Sequence, residues 1–299
     1  MSKFVRRPTV GIALGGGGAR GLAHIGVLEV FEREGIPIDC MSGTSMGGII
    51  AALYAAGLSP AELSEIAISL ANPKNFLRFL DLTPPQHGII KTEKIQAYLS
   101  ELIGKDTTFA DLRFPISLTS VDLITKKIIY LTEGSVVEAC MATSAVPGLF
   151  PPVEKDGMRL VDGGVLDNVP AQAARKMGAE YVIAVDVNYF VGSESNWVDF
   201  PKDATIRRFL PAFALDFYLA EIIMSSAITA QNLKKANPQI ILNPSVPADV
   251  NIFFGFTKAA ETIQHGRNAA QTIISRVKDE IKPKLHLFPA NIDPKRFAD

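Results

Sequence analysis

Cys40-Met41-Ser42-Gly43-Thr44-Ser45-Met46-Gly47-Gly48 is followed by Ile49-Ile50-Ala51-Ala52-Leu53-Tyr54-Ala55-Ala56. The first stretch holds G-x-S-x-G with Ser45 at its centre, and the second has strong helix character. A short apolar run enters the motif and a helix leaves it, so Ser45 is expected on a tight strand-to-helix turn. Gly43 and Gly47 flank the serine where two backbone segments must pass without a Cβ between them. Such a turn exposes the hydroxyl, and the helix N-terminus behind it favours negative charge. A serine nucleophile needs both. The plainer reading of the same string is a glycine-flanked helix cap.

Upstream, Thr9 to Leu14 reads as a buried strand, and Leu22 to Glu34 as a helix stopped by Gly35. Between them lies Gly15-Gly16-Gly17-Gly18-Ala19-Arg20-Gly21. Strand, glycine loop, helix, strand, serine turn, helix is a βαβα order, which predicts a parallel sheet with right-handed crossovers. The glycine loop satisfies G-x-G-x-x-G, and Asp39 lies near the position of a ribose-binding acid, so a dinucleotide site is one reading. A cofactor across the strand ends would, however, cover Ser45. The second reading is an oxyanion hole, in which consecutive N–H groups at a helix N-terminus converge on one point. The N–H of Met46 would add a donor. The third is a turn that only lets helix and strand pack closely.

A nucleophile also needs a base. The four histidines, His24, His87, His265 and His286, do not sit at strand ends followed by glycines. His24, inside the first helix, reads as a packed core residue. Asp162 ends the strand Arg159-Leu160-Val161 and precedes Gly163 and Gly164. A carboxylate acting directly on Ser45 would form a dyad, provided burial lifts its reference pKa of about 3.9. The alternative is a turn aspartate that caps its own backbone.

Three blocks therefore occur in order: Gly16 to Gly21, Gly43 to Gly47, and Asp162-Gly163-Gly164, with Thr143-Ser144-Ala145-Val146-Pro147-Gly148-Leu149-Phe150-Pro151-Pro152 just before the aspartate. Together they resemble the patatin-like phospholipase family, in particular its compact bacterial members. The resemblance runs from about Val10 to Val187. It implies an α/β fold of three layers, a mostly parallel sheet with helices on both faces. It implies Ser45 as nucleophile, Asp162 as general base, and an oxyanion hole from Gly16, Gly17 and Gly18. Arg20 would shape the loop or face an anionic head group. The implied substrates are acyl esters of lipids, with no metal and no organic cofactor.

Composition sets the remaining bounds. The 299 residues carry a net charge of −1, which argues against nucleic acid as a partner. Hydrophobic residues make up 47%, enough for a sizeable core. Cys40 and Cys140 stand far apart in apolar surroundings, which fits a reducing compartment. Lys3, Arg6 and Arg7 precede an apolar run too short for a signal peptide, and no segment reads as membrane-spanning. The expectation is one domain over 1–299 in the cytoplasm, with peripheral membrane contact left open. Residues 72–86, rich in proline and phenylalanine, read as a lid or a satellite cluster. Residues 206–235 form an apolar helical stretch that reads as core, acyl-chain wall, membrane-facing lid or dimer surface. Residues 258–278 read as a closing surface helix. Three alternatives to the hydrolase remain: a lipid-binding protein with a dead site, a nucleotide-binding protein that uses the glycine loop, and acyl transfer to an acceptor other than water through the same acyl-enzyme.

Overall fold

The computed structural model describes residues 3–72, 92–188, 212–247, 250 and 255–287. The proline-rich stretch expected as a lid, His87, and the start of the apolar helical stretch lie outside the described residues. The strands are β1 (Lys3–Arg6), β2 (Val10–Leu14), β3 (Cys40–Thr44), β4 (Ile116–Asp122), β5 (Lys127–Leu131), β6 (Val153–Lys155), β7 (Met158–Asp162), β8 (Tyr181–Val185), β9 (Ile240–Leu242) and β10 (Lys284–Leu287). The helices are α1 (Ala23–Arg33), α2 (Met46–Ala56), α3 (Pro60–Leu70), α4 (Thr92–Ile103), α5 (Val136–Thr143), α6 (Ala171–Lys176), α7 (Ala212–Ala236) and α8 (Ala259–Glu280).

β4, β3, β2, β8 and β9 run parallel in that spatial order, and β5, β7 and β6 add antiparallel pairings at the β4 edge. The alternation along the central strands separates two cores. Val10, Ile12 and Leu14 of β2, with Tyr181, Ile183 and Val185 of β8, face α1, α2, α5 and α8. Ala13 and Ala184 face the opposite way, onto α6 and the end of α7 through Ala171, Ala174 and Leu233. Small residues on this second face let the helices sit close. The result is the expected three-layer α/β arrangement.

Local chemistry explains the boundaries. Ser59 and Glu62 form a capping box with Pro60 as the first helical residue of α3. Ser135 caps α5 by accepting from the Glu138 N–H. Helix α8 does more than close the surface. Gly26 of α1 and Gly266 of α8 each abut the other helix's backbone, with no room for a Cβ, and Ile263, Ala270, Ile274 and Val277 complete a buried seam. Two features have no counterpart in the sequence reading. One is the β1–β10 ribbon, which pairs residues from the two ends of the chain. The other is β6, which extends the antiparallel edge. No helix among the described residues is long and apolar enough to cross a membrane.

Candidate active site

The site is built on one edge of β4. Leu118 and Thr119 pair with Gly43 and Thr44 of β3, and also with Leu131 and Tyr130 of β5. Ser120 to Asp122 pair with Asp162 to Leu160 of β7, and also with Ile129 to Lys127 of β5. A strand has only two edges, so β3 and β7 must share the one that β5 leaves free. They approach along it from opposite directions. β3 ends at Thr44 opposite Thr119, and β7 ends at Asp162 opposite Ser120. The residue after Thr44 and the last residue of β7 therefore meet, which brings Ser45 and Asp162 together across 117 positions of sequence.

Ser45 has φ 53° and ψ −128°, a backbone state that L-residues rarely adopt. Its N–H donates to Thr143 Oγ1 at 3.0 Å, and Thr143 Oγ1 donates to the Thr119 carbonyl at 2.5 Å. One buried threonine thus ties the strained turn to β4. The glycines make room for it. A Cβ on Gly43 would lie 2.6 Å from the Gly47 carbonyl oxygen, and one on Gly47 would collide with the Leu14 carbonyl oxygen. Among the described residues the Met46 N–H, at the start of α2, has no acceptor.

Asp162 is 5% exposed. One carboxylate oxygen accepts from the Gly164 N–H at 2.7 Å, and the Ser45 side chain lies near enough for its hydroxyl to favour the carboxylate's charged form. Burial raises its pKa to about 7 from 3.8; the Ser45 hydroxyl and the Gly164 N–H oppose the rise, and the Glu221 charge adds to it. Glu221 reaches this neighbourhood because α7 docks on the turn after Asp162. Ser225 Oγ donates to the Gly164 carbonyl at 2.7 Å, and Asn232 Nδ2 to the Leu166 carbonyl at 2.8 Å. Ser225, Thr229 and Asn232 therefore make a polar face on a helix that the sequence reads as mostly apolar.

The glycine loop lies against Ser45: a Cβ on Gly16 would be 3.0 Å from the Ser45 Cβ. Gly16 itself is fully engaged. Its N–H donates to the Asn168 carbonyl at 3.1 Å, and its carbonyl accepts from Asn168 Nδ2 at 3.2 Å and Asn188 Nδ2 at 2.7 Å. In a planar trans peptide the N–H opposes the C=O, so the Gly17 N–H points away from both asparagines. The N–H groups of Gly17 and Gly18 have no acceptor among the described residues. Arg20 Nε donates to the Val250 carbonyl at 2.9 Å, which fits a loop-shaping role. His24 is fully buried, its Nε2 is 2.7 Å from the Gly15 carbonyl, and burial lowers its pKa to about 4. It is a packed core histidine that steadies the loop, as its place in α1 suggests.

Asp39 does not serve the glycine loop. It precedes β3, at the opposite end of that strand from Ser45, where it pairs with Arg7 and accepts from the Val10 N–H at 2.7 Å. A ribose-binding acid would stand at the strand's C-terminal end. Among the described residues no group of His, Cys, Asp and Glu is arranged to hold a metal ion.

A patatin-like phospholipase family model matches residues 12–175, more than half of the chain, and the chain belongs to that family. An uncharacterized NTE family protein of Mycobacterium tuberculosis is 36% identical over 188 residues, which are 63% of this chain and 51% of that protein. Patatin-like phospholipase domain-containing protein 6 of Homo sapiens is 36% identical over 191 residues, 62% of this chain and 14% of that protein. The chain thus spans about half the length of the mycobacterial relative and a small part of the human one. The structure of VipD from Legionella pneumophila superposes with a TM-score of 0.50 at 12% identity, covering 94% of this chain and 68% of that one, and so shares its fold.

Proposed function

We propose that this chain hydrolyses acyl esters of lipids, of the phospholipid or lysophospholipid class, through a Ser45–Asp162 dyad. The observation that carries the reading is the contact of Ser45, on its strained turn, with a buried carboxyl whose pKa is raised to about 7. A carboxylate with the ordinary pKa is a weak base, whereas one near 7 is matched to proton transfer at neutral pH. Family membership supports a lipid ester as the substrate.

Ser45 Oγ attacks the ester carbonyl carbon and its proton passes to Asp162. The carbonyl oxygen becomes an oxyanion facing the N–H groups of Gly17, Gly18 and Met46. Gly16, whose own N–H is committed to Asn168, orients the Gly17 donor. Collapse breaks the ester C–O bond, and the leaving alkoxide takes the proton from Asp162. Water then attacks the acyl-enzyme, giving one proton to Asp162, and collapse returns that proton to Ser45 as the carboxylic acid leaves. One oxyanion donor of this kind is worth roughly 3–4 kcal/mol.

The test is labelling with a long-chain alkyl fluorophosphonate, read by intact mass and peptide mapping, on wild type and Asp162→Asn. A single adduct on Ser45, formed far more slowly in the variant, is the expected result. A folded wild-type protein that stays unlabelled and binds lipid without turnover would instead be a dead-site lipid binder.

A further inference from the structure

Asp122 ends β4 and holds the turn into β5. Its buried carboxylate accepts from the N–H of Ile124 at 3.1 Å, Thr125 at 3.0 Å and Arg159 at 2.9 Å, and from Thr125 Oγ1 at 2.6 Å. The Lys126 N–H closes the turn onto the Asp122 carbonyl at 2.8 Å, with Lys126 at φ 60°. On this tightly bonded turn two aliphatic side chains stand in water, Leu123 at 45% and Ile124 at 60% exposed. Exposed tight turns are normally made of small and polar residues. Beside them Lys126 and Lys127 are exposed, and among the described residues neither belongs to an ion pair.

The position of the turn matters as much as its composition. β4 runs parallel to β3, so its C-terminal turn lies at the end of the sheet that carries Ser45. Ser120 stands opposite Asp162. At about 3.3 Å per residue, Leu123 and Ile124 project roughly 10 Å past the dyad. Helix α7 overhangs the same end. The segment after Asp162 descends along β3, with Thr44 Oγ1 on the Asp167 carbonyl and Ser42 Oγ on that of Pro170. α7 follows it in reverse, from Asn232 beside Leu166 to Ser225 beside Gly164. Its N-terminal half therefore continues beyond the dyad, and Ile223 and Met224 are 46% and 55% exposed there.

We infer that the β4–β5 turn is a membrane-docking wedge, in which Leu123 and Ile124 enter an anionic lipid surface and Lys126 and Lys127 contact its head groups. This inference rests on the lipid-hydrolase reading, because it places the surface that holds the substrate at the end of the sheet where Ser45 lies. The turn is ordered before binding, so insertion costs little further entropy. Two aliphatic side chains suit shallow insertion, and two lysines give a preference for negative lipid.

The experiment measures binding to phosphatidylcholine vesicles with and without phosphatidylglycerol, and separately hydrolysis of soluble p-nitrophenyl butyrate. Wild type should prefer the anionic vesicles. Leu123→Ser with Ile124→Ser should lower binding at least about tenfold on both vesicle types. Lys126→Gln with Lys127→Gln should lower it roughly fivefold per lysine, on the anionic vesicles only and at low salt. Neither pair should alter turnover of the soluble ester. Ile124→Trp adds a readout that survives any loss of folding in the paired variants: its added fluorescence should be quenched by brominated lipid, against a background from Trp197. Vesicle binding unchanged in the Leu123/Ile124 pair, added fluorescence that stays unquenched in Ile124→Trp, or loss of self-association in place of lipid binding would each overturn the inference. Soluble-ester hydrolysis without vesicle binding would sink the wedge and leave the hydrolase standing; vesicle binding through the wedge without hydrolysis would do the reverse.

Discussion

Replacing Asp162 by Asn should abolish turnover and at the same time stabilise the protein at alkaline pH. Asp162 has a pKa raised from 3.8 to about 7, chiefly by burial. Below the unfolded value the group is protonated in both states and contributes nothing to pH dependence. Between about 4 and 7 the folded state holds the proton more tightly than the unfolded chain, so stability falls as pH rises. Above 7 the full penalty is present. At about 1.4 kcal/mol per pH unit this amounts to roughly 4 kcal/mol as an upper figure, and relaxation around the charge reduces it to about 2–4 kcal/mol. Asparagine removes the ionisation, and its carbonyl oxygen can still accept from the Gly164 N–H. The assay is urea unfolding of wild type and variant from pH 5 to 8.5. Asp167 and Asp186 also have raised pKa values, each about 6 through burial, Glu221 is raised by burial as well, and buried His24 is lowered to about 4, so the wild-type curve alone mixes Asp162 with these groups. The difference between the two proteins isolates Asp162: already more than about a third of its full size at pH 5, since the unfolded value is 3.8, and widening to its plateau above pH 7. A difference that is flat with pH, or a variant less stable than wild type at pH 8, would refute the account of a buried carboxylate kept ionisable for catalysis.

Three further perturbations probe neighbouring parts. Ser45→Ala and Ser45→Gly should both be inactive, but the glycine variant should be more stable than the alanine variant by about 1–2 kcal/mol in chemical unfolding, since glycine accepts the positive φ without strain. Equal stability would mean the turn stores no strain. Glu221→Gln should move the basic-form limb of the pH profile of kcat/KM to lower pH by a few tenths of a unit, because one of the charges that raises the Asp162 pKa is removed; a limb that stays put would place Glu221 outside the site's electrostatics. Thr143→Val should cost roughly 1–3 kcal/mol of stability and lower kcat more than it changes KM, with rescue by Thr143→Ser, because the Ser45 N–H and the Thr119 carbonyl both lose their partner.

Much of the fold was legible because its signals are local. The strands around Ser45, the capped start of α3, the glycine that ends α1 and the core strand β8 are each decided by a few adjacent residues. The two candidate catalytic residues were legible for the same reason, since each sits where a strand runs into glycines. The parts that were not legible are relations between distant segments. Thr143 stands in a quoted block, but its task depends on Thr119 lying beside it on β4. Asn168 carries no local signal of its role, which is to clamp Gly16 together with Asn188. The spacing of Glu221, Ser225, Thr229 and Asn232 does mark one face of α7, yet the aliphatic residues around it dominate the composition. Asp39 shows the converse failure. Its distance from the glycine loop fits a dinucleotide fingerprint, but counting residues cannot tell which end of a strand an acid occupies.

In the proposed dyad, the shared edge of β4 would let a carboxylate do what an imidazole does in a triad. A histidine base is presented on a loop, and a third group orients it. Asp162 instead ends a strand whose register on β4 is fixed by Val161 and Leu160, both buried. Its short side chain needs no orienting partner beyond the Gly164 N–H. The same placement removes it from water, and that burial brings its proton affinity into the working range. Position and basicity therefore have one cause, the head-to-head meeting of β3 and β7. A glutamate at position 162 would carry the same charge, but its extra methylene would shift the carboxylate relative to Ser45 and the Gly164 N–H, so charge alone would not restore the dyad.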